Sequence, residues 1–173
     1  MKHLINAIKD YCTYNYESIA VAENITTGCL QMLFGSVDQA STYFQGGITT
    51  LNNHQLSTIL GVEAINNKNR TDLNMGITID MAKAVAAKFN SDIGIAINGC
   101  HDTQTDPLVQ PSFAAIVRFN KVIYAEKMMP KAQASSAVPI EYAQRIIYVL
   151  AEKLLPQQEE IAHTTAQILE PLS

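Results

Sequence analysis

Residues 19–34 read IAVAENITTGCLQMLF. Ile19-Ala20-Val21-Ala22 is a short apolar run rich in β-formers, and it passes through Glu23-Asn24 into a segment where Ile25, Cys29 and Met32-Leu33 share one helical face. A buried strand feeding a helix through a tight turn is the basic α/β unit. Asn24 suits the N-cap, since its side-chain oxygen can accept from an N–H two or three residues on. The first turn of such a helix also carries unpaired N–H groups and the positive end of the macrodipole. Thr26, Thr27 and Gly28 therefore become candidates for holding a phosphate. The simpler alternative is a capped helix that packs its glycine against the sheet.

Working outward, the chain has 173 residues, enough for one domain over 1–173 that buries roughly two-thirds of its unfolded surface. Helix-like and strand-like segments alternate along it, which predicts an α/β fold with the sheet covered on both faces. The net charge of −4 and a charged fraction of 16%, with Lys and Arg scattered singly, argue against a nucleic-acid partner. No apolar run approaches the ~20 residues that span a bilayer, so no membrane role is expected. The first residues, Met1-Lys2-His3-Leu4, turn polar again by Lys9-Asp10, unlike a signal peptide. Cys12, Cys29 and Cys100 form no C-x-x-C pair and read as reduced thiols of a cytoplasmic protein, with no metal site.

Before the central unit, Leu4, Ile5, Ile8, Tyr11 and Cys12 recur at helical spacing, and that helix should end near Tyr14-Asn15. After it, a strand is expected over 46–51, then a short helix over 54–60 capped by Asn52-Asn53 and stopped by Gly61. Residues 65–73 read as a surface loop or weak helix. Thr78 should cap a helix with the stripe Met81-Ala82, Val85-Ala86 and Phe89. Residues 92–98 look like a central strand buried on both faces. Beyond a polar loop over 99–111, two strands over 112–119 and 122–128 should form a hairpin turning at Asn120-Lys121. Pro139 opens the best-patterned helix, with Ile140, Ala143, Ile146-Ile147, Leu150 and Leu154 buried and Pro156 closing it. A last polar helix over 157–169 forms a C-terminal extension.

Several of these pieces, in order, resemble the CinA C-terminal domain family, the competence/damage-inducible proteins whose active members deamidate nicotinamide mononucleotide. Glu23-Asn24-Ile25-Thr26-Thr27-Gly28 is similar to its E-S-x-T-G-G, and Ser41-Thr42-Tyr43-Phe44-Gln45-Gly46-Gly47 to S-x-Y-F-x-G-G. Leu60-Gly61-Val62 matches L-G-V, Met75-Gly76-Ile77-Thr78 stands in for G-A-V-S, and 92–99 is similar to D-I-G-L-A-V-T-G. The resemblance implies a three-layer α/β/α sandwich with a mixed sheet of about five strands, one of them antiparallel. It also implies an oligomer, with a homodimer the expected state.

The departures from the family pattern fall where the chemistry would be. The resemblance implies a serine nucleophile on the helix N-terminus, a lysine that activates it and a tyrosine nearby. Asn24 stands in the serine's place, Leu51 in the tyrosine's and Leu56 in the lysine's. A carboxamide is not deprotonated at neutral pH, and leucines neither accept a proton nor stabilise an oxyanion. The glycine-rich loop of the family becomes Gly99-Cys100-His101-Asp102-Thr103-Gln104-Thr105-Asp106. The expected protein is thus a member without the catalytic set, needing no cofactor and serving in binding or assembly.

Any surviving pocket would draw on Asn24, Thr26, Thr27, Gly28, Gly47, Asn98, Gly99 and His101 for a phosphate-bearing or nicotinamide-type small molecule. One rival is an active hydrolase using Cys100 or His101; the other is a purely structural interaction module. Cys100-His101-Asp102 cannot form a triad among themselves in extended chain, because adjacent side chains point oppositely. His54, His101, Asp102 and Asp106 match no metal-ligand spacing.

Overall fold

The computed structural model describes residues 1–63, 70–99, 111–131 and 134–155, and of 70–74 only the backbone. Five strands form one sheet: β1 (Ile19–Glu23), β2 (Phe44–Thr49), β3 (Ile93–Gly99), β4 (Ser112–Arg118) and β5 (Lys121–Met128), in the order β2-β1-β3-β4-β5. β1 pairs parallel with β2 and β3, while β4 pairs antiparallel with both β3 and β5. One strand, β4, therefore runs against the other four, and the expected mixed α/β sheet is the one observed.

The two faces of the sheet are unlike, and that difference sets the layers. Ile19, Val21, Ile93, Ile95, Ile97 and Ile116 pack against α1 (Lys2–Tyr14), α2 (Cys29–Gly35) and α5 (Val138–Leu154), whose Ile5, Ile8, Leu30, Phe34, Ile146 and Leu150 are buried with them. The opposite face offers Ala20, Ala22, Ala96 and Ala115, and it is covered by α4 (Arg70–Phe89) through Met81, Ala82 and Val85. So flat a surface lets α4 sit very close. A Cβ built on Gly94 would lie 1.9 Å from the Ala82 carbonyl oxygen. α3 (Asn53–Gln55) continues into a π-turn, Leu56–Leu60, whose Leu56 and Leu60 join this second core.

Local chemistry explains most boundaries. The Asn52 side chain accepts from Gln55 N at 2.9 Å, and Gly61 at φ 68° ends the π-turn, as the spacing predicts. Pro139 sits in the first turn of α5. At the amino ends of the parallel strands, Asp92 Oδ2 accepts from Ser18 N at 2.9 Å. The Arg118 guanidinium meets Glu17 in two-point fashion, with Nε donating to Oε2 at 2.8 Å.

Several expectations need correction. α2 begins at Cys29, well after Asn24, because Thr27 and Gly28 take left-handed φ values of 46° and 95° that no helix contains. Its buried pair is Leu30 and Phe34, one turn apart, and Met32 faces solvent. Thr78 caps nothing: α4 already starts at Arg70, and Thr78 is a fully buried interior position. β2 occupies Phe44–Thr49, two residues earlier than the pattern suggests. The hairpin turns at Phe119-Asn120, with φ values of 48° and 61°, the primed geometry that suits the twist of paired strands.

In α5, Ile140 is only half-buried and Tyr142 takes the inner position. Residues 64–69, the loop residues 100–110, Pro156 and the helix expected over 157–169 lie outside the described residues.

Candidate functional site

β1 connects to β2 through α2 on one face of the sheet, and β2 connects back to β3 through α4 on the other. Connections that leave in opposite directions open a crevice between β1 and β3 at their carboxyl ends, the usual ligand position in such folds. Glu23, Asn24, Asn98 and Gly99 stand there. The register Glu23↔Ile97 sets Asn24 beside Asn98, and Asn24 N continues the ladder to Ile97 O at 3.2 Å.

The Asn24 side chain closes this crevice. Its Nδ2 donates to Asn98 Oδ1 at 2.8 Å and to Gly99 O at 3.2 Å. Its Oδ1 accepts from Gly99 N at 3.0 Å and from the neighbouring Ile25 N. Two donors and two lone pairs are the whole capacity of a carboxamide, so every one is spent within the protein. Towards Gly99 the group acts as a peptide would, accepting from its N–H and donating to its carbonyl. It extends the pairing of β1 with β3 by one residue. Asn24 is thus a bracket between strands rather than the helix cap its position suggests.

The cap is Glu23. Its carboxylate is fully buried on the α2 side of the sheet. Oε2 accepts from Thr26 Oγ1 at 2.6 Å, Gly28 N at 3.2 Å and Leu30 N at 3.0 Å, while Oε1 accepts from Gln31 N at 2.9 Å. Of the groups expected to face an anion, the Gly28 N–H and the Thr26 hydroxyl are held by the protein's own carboxylate, and Thr27 N donates to Asn24 O at 3.1 Å. Thr26 is fully buried with its hydroxyl on Glu23, Thr27 is exposed, and Gly28 lies at the turn. The signal for this role was a lone acidic residue ending an apolar strand just before Thr-Thr-Gly.

The other candidates are distributed as follows. Leu56 is buried in the second core with Ala22, the residue two before Asn24 on the same sheet face. Leu51 is 51% exposed, its N–H donating to Gln55 Oε1 at 2.7 Å. Gly47 pairs with Val21 in β2, and a Cβ there would lie 2.5 Å from Val21 Cγ2. Gly99 is needed for a similar reason, since a Cβ would lie 2.7 Å from Ile25 Cγ2. His101, with Cys100, Asp102 and Asp106, lies outside the described residues.

Cys29 opens α2 half-buried, and burial followed by the nearby Glu23 charge raises its thiol above the ordinary value. It is not an activated nucleophile. Among the described residues no group of His, Cys, Asp and Glu could hold a metal ion, and no helix is long and apolar enough to cross a membrane.

The fold is that of an α/β/α protein with a mixed five-stranded sheet. More particularly, the chain belongs to the CinA C-terminal domain family, whose model matches residues 1–112. It is 37% identical over 82 residues to Protein MG115 of Mycoplasma genitalium, covering 47% of this chain and 52% of that protein. A CinA-like protein of Picosynechococcus is 34% identical over 104 residues, 60% of this chain and 25% of that protein. The chain thus spans about half the length of one of these relatives and a quarter of the other. Among solved structures, the competence damage-inducible protein A of Klebsiella pneumoniae superposes with a TM-score of 0.77 at 17% identity, covering 91% of this chain and 98% of that one. The protein CihA from Agrobacterium tumefaciens gives 0.74 at 14% identity, covering 88% and 94%. At such identities these structures establish the fold alone.

Proposed function

We propose that this protein is a non-catalytic member of its family, a binding or assembly protein on an amidohydrolase scaffold. The observation that carries the reading is the Asn24 carboxamide, whose hydrogen-bonding capacity is entirely spent on Asn98, Gly99 and Ile25. It stands where the family resemblance puts a nucleophilic serine. An apolar Leu56 and an exposed Leu51 stand where that resemblance puts the base and the tyrosine. Neither leucine can take a proton from a nucleophile or donate to an oxyanion, and both Asn24 amide donors are already engaged.

The purified protein is expected to release neither ammonia nor nicotinate mononucleotide from nicotinamide mononucleotide. Turnover near ~10 per second, typical of enzymes, would overturn the reading. Asn24→Ser alone should remain inactive, because an unassisted hydroxyl stays protonated. Asn24→Ser with Leu51→Tyr and Leu56→Lys is expected to regain only a trace, since members of a catalytic unit act together. In calorimetry the same nucleotide should bind weakly, because Glu23 already holds the N–H groups of α2 and Asn24 bridges the crevice.

What the scaffold retains, on this reading, is assembly with a second copy of the chain. Sedimentation at tens of micromolar is expected to give a homodimer. A monomer under those conditions would leave binding, not assembly, as the role.

A further inference from the structure

We infer that Asn98 is a latent deamidation site, and that the Asn24 bracket is what keeps it intact. Asn98-Gly99 is the sole Asn-Gly pair in the 173 residues. In such a pair the glycine nitrogen, losing its proton, attacks Cγ of the asparagine. The N–Cγ bond forms, the Cγ–Nδ2 bond breaks and the amide leaves as ammonia. Water then opens the five-membered imide at either carbonyl, giving aspartate or isoaspartate. Glycine is the most reactive following residue because it has no Cβ to obstruct ring closure.

The pair closes β3, where the bracket reaches both of its residues. At position 99 a Cβ would lie 2.7 Å from Ile25 Cγ2, so any other residue would have to displace the Ile25 side chain. At position 98, the side chain supplies the oxygen that Asn24 Nδ2 meets at 2.8 Å. The same bracket immobilises both reacting groups. Gly99 N–H is held on Asn24 Oδ1 at 3.0 Å, Gly99 O on Asn24 Nδ2 at 3.2 Å, and Asn98 Oδ1 on that same Nδ2. β4 fixes the other edge, with Asn98 opposite Phe113 and Gly99 opposite Ser112.

Donation to Asn98 Oδ1 polarises the carbonyl and by itself would favour attack. Ring closure, however, requires rotation of the Asn98–Gly99 peptide out of the extended conformation, which breaks both contacts between Gly99 and Asn24. Restraint outweighs polarisation.

The test compares wild-type protein with Asn24→Ala, both shown folded by circular dichroism, during incubation at 37 °C and pH 8.5. Peptide mass at Asn98 and labelling by an isoaspartyl methyltransferase are followed, and urea-unfolded wild type shows the unrestrained rate. Asn24→Ala is expected to convert at Asn98 about tenfold faster or more than wild type, the factor that follows from losing hydrogen bonds of ordinary strength. The ammonia released in step with conversion at Asn98 should amount to at most one per chain, without added nucleotide, and that share should be lost from Asn24→Ala combined with Asn98→Thr. Equal rates in the two folded proteins overturn the proposal.

Should Asn24→Ala not fold, hydrogen exchange of Gly99 N–H in wild type decides. Strong protection supports the bracket, because that N–H is donated to Asn24; exchange at the rate of a free amide overturns it.

Discussion

Glu23→Ala is expected to cost about 3–5 kcal/mol of stability. The substitution strands the Gly28, Leu30 and Gln31 N–H groups and the Thr26 hydroxyl, all of which now end on one buried carboxylate. Each buried donor left without a partner costs about 1–3 kcal/mol, and water entering the vacated space recovers part of the sum. For a chain of this size the loss corresponds to roughly 10–15 °C in Tm. Glu23→Gln should cost less, about 1–3 kcal/mol. Its oxygen can still serve the three donors on Oε2, but its NH2 then faces Gln31 N–H, two donors against each other. Urea denaturation of the three proteins checks the order. A Glu23→Ala midpoint equal to that of wild type would mean the carboxylate does not cap α2.

Gly94→Ala is the second large effect, expected at about 3 kcal/mol or more. The added methyl would stand 1.9 Å from the Ala82 carbonyl oxygen and 2.9 Å from Ala86 Cβ. Neither obstacle can turn aside, since one is a helix carbonyl and the other an alanine Cβ fixed to the same helix backbone. α4 as a whole must lift from the sheet, loosening Met81, Ala82 and Val85 from Ala20, Ala22 and Ala96. Gly76→Ala is the reference: it lies within α4 with nothing inside 4 Å of an added Cβ, and should be neutral or slightly stabilising. A Gly94→Ala protein as stable as Gly76→Ala would show that α4 does not rest on the sheet at that point.

Much of this architecture can be read from residue patterns. The apolar runs of β1 and β3, the glycine after the π-turn and the Pro139 start of α5 are local signals, and each lies where its pattern puts it. Pattern and structure part where a local signal meets a tertiary override. Gly76 and Thr78 look like a break and a cap, yet burial of Met81, Ala82 and Val85 keeps α4 helical from Arg70 through both. At α2, the left-handed Thr27 and Gly28 shift the helical phase, so that Leu30 and Phe34 turn inward instead of Met32.

The site is less legible in the sequence, because its partners are distant along the chain. Nothing near Asn24 announces Asn98. The only hint is that each follows the last residue of the β1–β3 register, Glu23 and Ile97. Glu23 as the cap was legible in principle, but a flanking asparagine has the stronger intrinsic preference for that role.

The strand order has a consequence for how the chain reaches this state. β4 and β5 are joined by a two-residue turn and can pair within microseconds once made. β1 cannot: its contacts with β3 and the adjoining loops span 74 positions, as between Ser18 and Asp92. On a ribosome, β1 therefore emerges early and finds β2 on one side, but its other edge stays open until the β3 residues are synthesised. For that interval Ile19-Ala20-Val21-Ala22 presents an uncharged strand edge with unpaired backbone groups, the kind that recruits other chains. Slow elongation between residues 50 and 93 would lengthen the time for which that edge stays open, a hazard that the final stability of the fold does not remove.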